Sequence, residues 1–287
     1  MEIIMNELKK YGIEEAQISC LSDKDGILVY QLASGGQHYV LKYFVKEDYQ
    51  REIYYYQLLN KLAIKTINIY GHTDKSILME NINFNEDYRL ANKEDLEVKE
   101  IIVSLADYYH ELHDKGKVFL RGDEAVNLYS EFKSIDEESI LFLKEASGYE
   151  NEAFWKALPI FLAKWLPYYE SHKTLTYNDF FYGNLIISKN LREAFVFDYN
   201  LMGEGLAYFD ISNVMSGLNE EMRAVFIKHY GYIANTETHI NHVVSHMFAL
   251  IRAYKRDSFP AWAIESKELL LSGEMAQFLE KCCTLIG

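Results

Sequence analysis

The chain has 287 residues, with 29 Lys and Arg against 43 Asp and Glu, a formal charge of −14. At 49% hydrophobic and 25% charged residues with only 3 Pro, its composition is that of a folded globular protein of one large domain or two lobes. The acidic balance argues against a nucleic-acid binder, which needs a basic face to displace counterions from phosphates.

Cys20, Cys282 and Cys283 form neither paired CxxC elements nor a secreted disulfide framework, so no structural zinc is expected. Glu2, Glu7, Lys9 and Lys10 stand where a signal peptide needs an apolar run, and no run of about 18 uncharged apolar residues could span a membrane. A cytoplasmic protein, with neither nucleic acid nor membrane as partner, is the expectation.

In chain order, runs rich in β-formers at 18–22, 27–33 and 37–44 are separated by Asp23-Lys24-Asp25-Gly26 and Ser34-Gly35-Gly36, both hairpin signals. Residues 47–62 place Tyr49, Ile53, Tyr56 and Leu59 on one helical face. Strands are predicted at 66–70 and 76–81, split by the polar turn His72-Thr73-Asp74-Lys75. From Asn92 the pattern is mostly helical. Ile102, Leu105, Ala106, Tyr109 and Leu112 recur at helical spacing, and Gly116 reads as a stop. Further helices are predicted at 125–145, 152–171, 209–218, 236–255 and 263–282. Short strands at 174–177, 185–187 and 194–197 interrupt this half. The last two read as a hairpin around Ser188-Lys189-Asn190, which needs a surface to pack on.

Asp179 and Asn184 flank the loop entering that hairpin, and Asp198 ends its second strand, so antiparallel pairing returns Asp198 toward Asn184. A carboxylate and an amide oxygen at one hairpin end are suitable hard ligands for Mg²⁺, with Asp179 nearby to orient a nucleophile. The spacing alone is weak, since Asp87 and Asn92 repeat it without a following hairpin that ends in an acid. Lys42, between apolar neighbours on the third strand, needs a partner, and Glu52 beside Ile53 on the helix is the candidate. The alternative is a lysine that snorkels at a sheet edge, with Glu52 in solvent.

This order of features resembles the protein-kinase-like small-molecule kinases, the superfamily of aminoglycoside phosphotransferases and choline kinases. The resemblance runs over nearly the whole chain. It rests on Lys42, Glu52, the hinge-like strand Ile77-Leu78-Met79-Glu80-Asn81, Leu112-His113, Tyr177-Asn178-Asp179 through Asn184, Phe197-Asp198, and Asp210 in Tyr208-Phe209-Asp210-Ile211. It implies an α+β, bilobal protein-kinase-like fold. Residues 1–82 would form the nucleotide-binding lobe, a small antiparallel sheet plus one helix. Residues 83–287 would form a mostly helical lobe that embeds the catalytic hairpin and holds the acceptor.

The resemblance also implies phosphotransfer from ATP or GTP to a hydroxyl of a small acceptor. Lys42, held by Glu52, would meet the α/β-phosphates, and the backbone from Glu80 to Ile82 would meet the base. Asn184 and Asp198 would hold Mg²⁺, Asp179 would be the catalytic base, and Asp210 would be mainly structural. An aminoglycoside, choline or another small metabolite could be the acceptor, and a catalytically silent nucleotide-binding module is the alternative. The sequence departs from the family at Tyr177 and Asn178, where a histidine and a glycine are usual, and in having only Gly26 in the first hairpin. Glu204, Glu220 and Glu221 are candidates for attracting an amine, though each reads first as a solvated surface acid.

Overall fold

The computed structural model describes residues 2–122 and 128–286. Its elements in chain order begin with α1 (Glu2–Lys10), β1 (Gln17–Lys24), β2 (Ile27–Ser34), β3 (Gln37–Phe44), α2 (Arg51–Lys61), β4 (Ile69–His72), β5 (Ser76–Glu80), β6 (Tyr88–Leu90) and α3 (Lys99–Leu120). There follow α4 (Glu137–Ser147), α5 (Glu152–His172), β7 (Thr174–Thr176), β8 (Leu185–Ser188), β9 (Ala194–Val196), β10 (Gly203–Gly205) and α6 (Ala207–Gly217). The chain ends with α7 (Glu220–Tyr230), α8 (Asn235–Tyr254), α9 (Ile264–Ser272) and α10 (Glu274–Leu285). They group into two compact units. The first is Met1–Leu112, Tyr177–Met202 and Asn213–Tyr230; the second is His113–Thr176, Gly203–Ser212 and Gly231–Gly287.

In the first unit a five-stranded antiparallel sheet runs in the order β1-β2-β3-β5-β4. Its first hairpin closes on Asp25-Gly26, with φ of 55° and 89°, the doubly left-handed turn that matches the twist of paired strands. The α1 helix lays Ile4 and Leu8 on Leu32, Leu41 and Leu78 of the sheet. It lies outside the predicted elements. β4 starts at Ile69 rather than 66, with an irregularity between Ile69 and Gly71.

The predicted hairpin is β8–β9, and the surface it needs is supplied by β6, which pairs Tyr88, Arg89 and Leu90 with Ser188, Ile187 and Ile186. The Asp87/Asn92 repeat proves to be a turn device. Asn92 Oδ1 accepts from Asp95 N–H at 3.1 Å, and Asp95 Oδ2 accepts in return from Asn92 N–H at 2.7 Å.

The second unit buries Leu158, Phe161 and Trp165 of α5 with Val243, Met247 and Leu250 of α8 and Leu279 of α10. Gly116 does not stop a helix, since α3 continues to Leu120. A Cβ there would lie 2.6 Å from the backbone nitrogen of Leu175, so the glycine admits β7 at close approach. The helix predicted at 263–282 is two, broken at Gly273 with φ 83°. The helix predicted at 125–145 begins outside the described residues; α4 starts at Glu137, where Asp136 accepts from Ser139 N–H at 2.8 Å. The α7 helix is an addition to the predicted set, started by Asn219 accepting from Met222 N–H at 2.9 Å. Among the described residues no helix is long and apolar enough to cross a membrane.

Candidate active site

Strand alternation carries Lys42 into the interior of the first unit, where only 5% of it is exposed. Its Nζ lies 2.6 Å from Glu52 Oε2 and donates to Asp198 Oδ1 at 2.7 Å. Glu52 is wholly buried on α2 and accepts from Tyr199 N–H at 3.3 Å. Tyr56, one turn further along α2, accepts from Asp198 N–H at 3.4 Å, and its ring meets that of Tyr199 at 4.8 Å. Two carboxylates on one buried lysine give the ion pairs the polar partners that make such burial tolerable. Burial works against the ammonium form of Lys42, but Glu52 and Asp198 outweigh it and the pKa is raised, so Lys42 is a fixed cation. Tyr56 and Tyr199 complete this group unforeseen, because a tyrosine on the apolar face of α2 reads as core and Tyr199 follows β9 in a loop with no pattern to place it.

The sequence-predicted residues Asp179, Asn184 and Asp198 are brought together here. Asn184 Nδ2 donates to Asp179 O at 3.3 Å and to Asp179 Oδ2 at 3.4 Å. Burial first and the charge of Asp198 second push the Asp179 carboxyl up to about 6, with Lys42 opposing. Asn178 (φ 65°) and Asp198 (φ 66°) both hold left-handed backbone, an observed strain of the kind that collects at functional sites.

The two departures from the family are accommodated. Tyr177 is buried and its hydroxyl donates to Phe197 O at 2.5 Å, bracing the strand end that carries Asp198. Asn178 occupies the left-handed region that asparagine tolerates better than most side chains, and its Nδ2 donates to Leu201 O at 3.0 Å. Tyr177→Phe should therefore lower unfolding free energy by about 1 kcal/mol, checked by urea denaturation, because a buried carbonyl loses its donor.

Glu80 and Ile82 are placed in the segment leaving β5. The Glu80 side chain is already engaged, accepting from Asn68 N–H at 3.0 Å and from Asn85 Nδ2 at 2.9 Å. Its own N–H donates to Asn68 O at 3.0 Å, and Ile82 O accepts from Asn85 N–H at 3.1 Å. Between them the buried Asn81 Nδ2 has no partner among the described residues.

In the second unit, His113 and Asp210 form a buried pair at 3.1 Å, and Thr174 Oγ1 donates to His113 O at 2.5 Å, tying α3 to β7. Glu204 is not a solvated acid. It is buried on β10 with Lys133 at 3.1 Å and Lys173 at 3.2 Å. Glu220 and Glu221 are exposed in the first turn of α7, where acids favour the helix dipole.

Asn184 and Asp198 could hold a hard divalent cation through oxygen. Among the described residues no group of three or more His, Cys, Asp or Glu is placed to hold a metal ion.

The phosphotransferase enzyme family model matches residues 26–239, well over half the chain, so the chain belongs to that family. No protein of curated function matches its sequence significantly. Among solved structures it is similar to the choline kinase LicA from Streptococcus pneumoniae, at 17% identity over 96% of this chain and 98% of that one, with a TM-score of 0.65. LicA is also known in complex with AMP. APH(2")-IIa in a ternary complex with streptomycin and ATP matches at 17% identity, covering 94% and 98% of the two chains, with a TM-score of 0.59. The macrolide 2'-phosphotransferase MphH from Brachybacterium faecium matches at 13% identity over 94% and 98%, with a TM-score of 0.58. The fold is thus α+β and protein-kinase-like, and membership of the family makes the protein a phosphotransferase.

Proposed function

We propose that this protein moves the γ-phosphoryl group of ATP to a hydroxyl of a small, amine-bearing acceptor, with residues 1–82 as the nucleotide lobe and 83–287 as the lobe of the catalytic loop and acceptor. The observation that carries the reading is the Lys42–Glu52–Asp198 group in one unit with Asp179 and Asn184. Neighbours bound to AMP and ATP favour an adenine nucleotide over GTP, and choline and streptomycin in neighbours' names favour an acceptor with an amine.

Phosphoryl transfer passes through a loose transition state, so catalysis is positioning and charge stabilisation. Lys42, kept charged and oriented by Glu52, would meet the α/β-phosphate oxygens. Asn184 and Asp198 would hold Mg²⁺, which when bound neutralises charge on the phosphates. Asp179 would accept a hydrogen bond from the acceptor hydroxyl and take its proton late in the transfer.

The experiment is Mg²⁺-dependent ADP release from ATP with pooled aminoglycosides, choline-like amino alcohols and small sugars, against a background without acceptor. Acceptor-stimulated release is expected from an amine-bearing pool. Mg-ATP that raises the melting temperature without release from any pool would mark a silent module instead. No release and no thermal shift would remove the reading altogether.

A further inference from the structure

Between α2 and the strand pair β4–β5, the first unit holds a cavity of about 590 Å³, a volume in the range of small-molecule sites. None of Lys42, Glu52, Asp179, Asn184 and Asp198 lines it. Its floor is apolar. Ile53 and Tyr56 come from α2, Ile64 and Ile67 from the segment after the helix, and Ile77 from β5, and all five are buried. Its rim is polar. Asn60 on the last turn of α2 and Asn68 just before β4 are exposed, and Gln57 Nε2 lies 2.7 Å from His72 Nε2, a bond from α2 to β4.

The charges at the rim are already used. Among the described residues no acid lines the cavity, and its ammonium, Lys65, pairs with Glu193 and lies 4.6 Å from the centre of the Tyr88 ring. A charged guest would leave water without gaining a countercharge, which is costly. An uncharged one lays its apolar surface on the isoleucines and keeps a hydrogen-bonding edge for the amides.

The same cavity touches what holds the proposed nucleotide group. Tyr56, in its floor, accepts from Asp198 N–H at 3.4 Å. Ile53 is the chain neighbour of Glu52, which lies 2.6 Å from Lys42 Nζ. Asn68, at its rim, is tied to Glu80, whose N–H donates to Asn68 O at 3.0 Å. A guest that touches Ile53, Tyr56 and Asn68 in this arrangement favours the arrangement in which those bonds are made.

We infer that this cavity binds a small uncharged molecule with an apolar body and an amide-like edge, and that its occupancy tightens the binding of Mg-ATP. The coupling rests on the nucleotide reading above; the site itself does not. The probe is indole-3-acetamide, with indole-3-acetate and tryptamine as its charged counterparts, titrated by calorimetry into the full chain with and without Mg-ATP. Indole-3-acetamide should bind at one site, several-fold more tightly than either counterpart. Mg-ATP should bind about fivefold more tightly in its presence, and the probe should gain the same factor from Mg-ATP, because coupling between two ligands is reciprocal.

Three variants locate the effect. Asn60→Asp, a change at an exposed position, sets a carboxylate at the rim and should shift the preference toward tryptamine. Ile67→Trp should occupy the floor and abolish binding. Tyr56→Phe should still bind the probe but lose most of the coupling. No binding of indole-3-acetamide, or binding that neither Asn60→Asp nor Ile67→Trp alters, overturns the site. Binding there with an unchanged affinity for Mg-ATP overturns the coupling. Binding there by a chain that binds no Mg-ATP upholds the site and overturns the nucleotide reading instead.

Discussion

Asp198→Asn should reduce kcat by roughly 10³-fold, because a carboxylate that would hold the metal supplies several kcal/mol of transition-state charge stabilisation. The substitution is chosen to leave the fold alone. Asparagine accepts the left-handed φ of 66° at this position, and its N–H can still reach the Tyr56 hydroxyl. What it removes is one of the two negative charges on Lys42 Nζ, leaving the 2.6 Å pair with Glu52. Lys42 and Glu52 would then remain matched one to one, so the melting temperature without ligand should change little. The rise in melting temperature with Mg-ATP should largely disappear. A variant with normal turnover and a normal thermal response would take Asp198 out of the metal site.

The parts of this site that could be read from the sequence are those that a local rule narrows. Lys42 has apolar neighbours on both faces of β3, which leaves either a buried lysine paired with Glu52 or one that snorkels at the sheet edge, and the structure has the first, with Nζ 2.6 Å from Glu52 Oε2. The hairpin brings Asp198 back to Asn184 because antiparallel pairing permits nothing else; Leu185 pairs with Val196, and Phe197 N–H donates to Asn184 O at 3.0 Å.

The unread parts depend on distant packing. Gly116 looks like a helix end until β7 is seen to need the space of its missing side chain. β6 is three residues long, too short for any period, and exists because β8 offers it an edge. The α7 helix was within reach, since Met222, Phe226 and Tyr230 repeat every four residues behind the Asn219 cap. Tyr56 shows the limit from the other side. Its spacing on α2 shows that it is buried, but not that its hydroxyl accepts from the backbone of Asp198.

The second large effect is expected at Asp179, where activity and stability should move in opposite directions. Asp179→Asn keeps the shape and removes the proton acceptor, so kcat should fall by about 10²- to 10⁴-fold, the range over which general bases contribute. In the wild type, kcat/KM should rise with pH along a limb centred near the free-enzyme value of about 6. Below that pH Asp179 is protonated and cannot accept the hydroxyl proton; above it the carboxylate is ready.

The sign for stability follows from the same shift. A carboxyl raised from its ordinary 3.8 to about 6 by burial and by Asp198 is held ionised at a cost in the folded state above pH 6. Asp179→Asn should therefore raise the melting temperature at pH 7 to 8. That gain should fade as pH falls through about 6 and vanish below the unfolded value near 3.8. A residue kept for structure would lose stability on replacement, whereas a base held ready at a cost to the fold gains it. Melting curves of wild type and Asp179→Asn from pH 4 to 8, run beside the pH–rate profile, separate the two, and a uniform fall in melting temperature would count against Asp179 as the base.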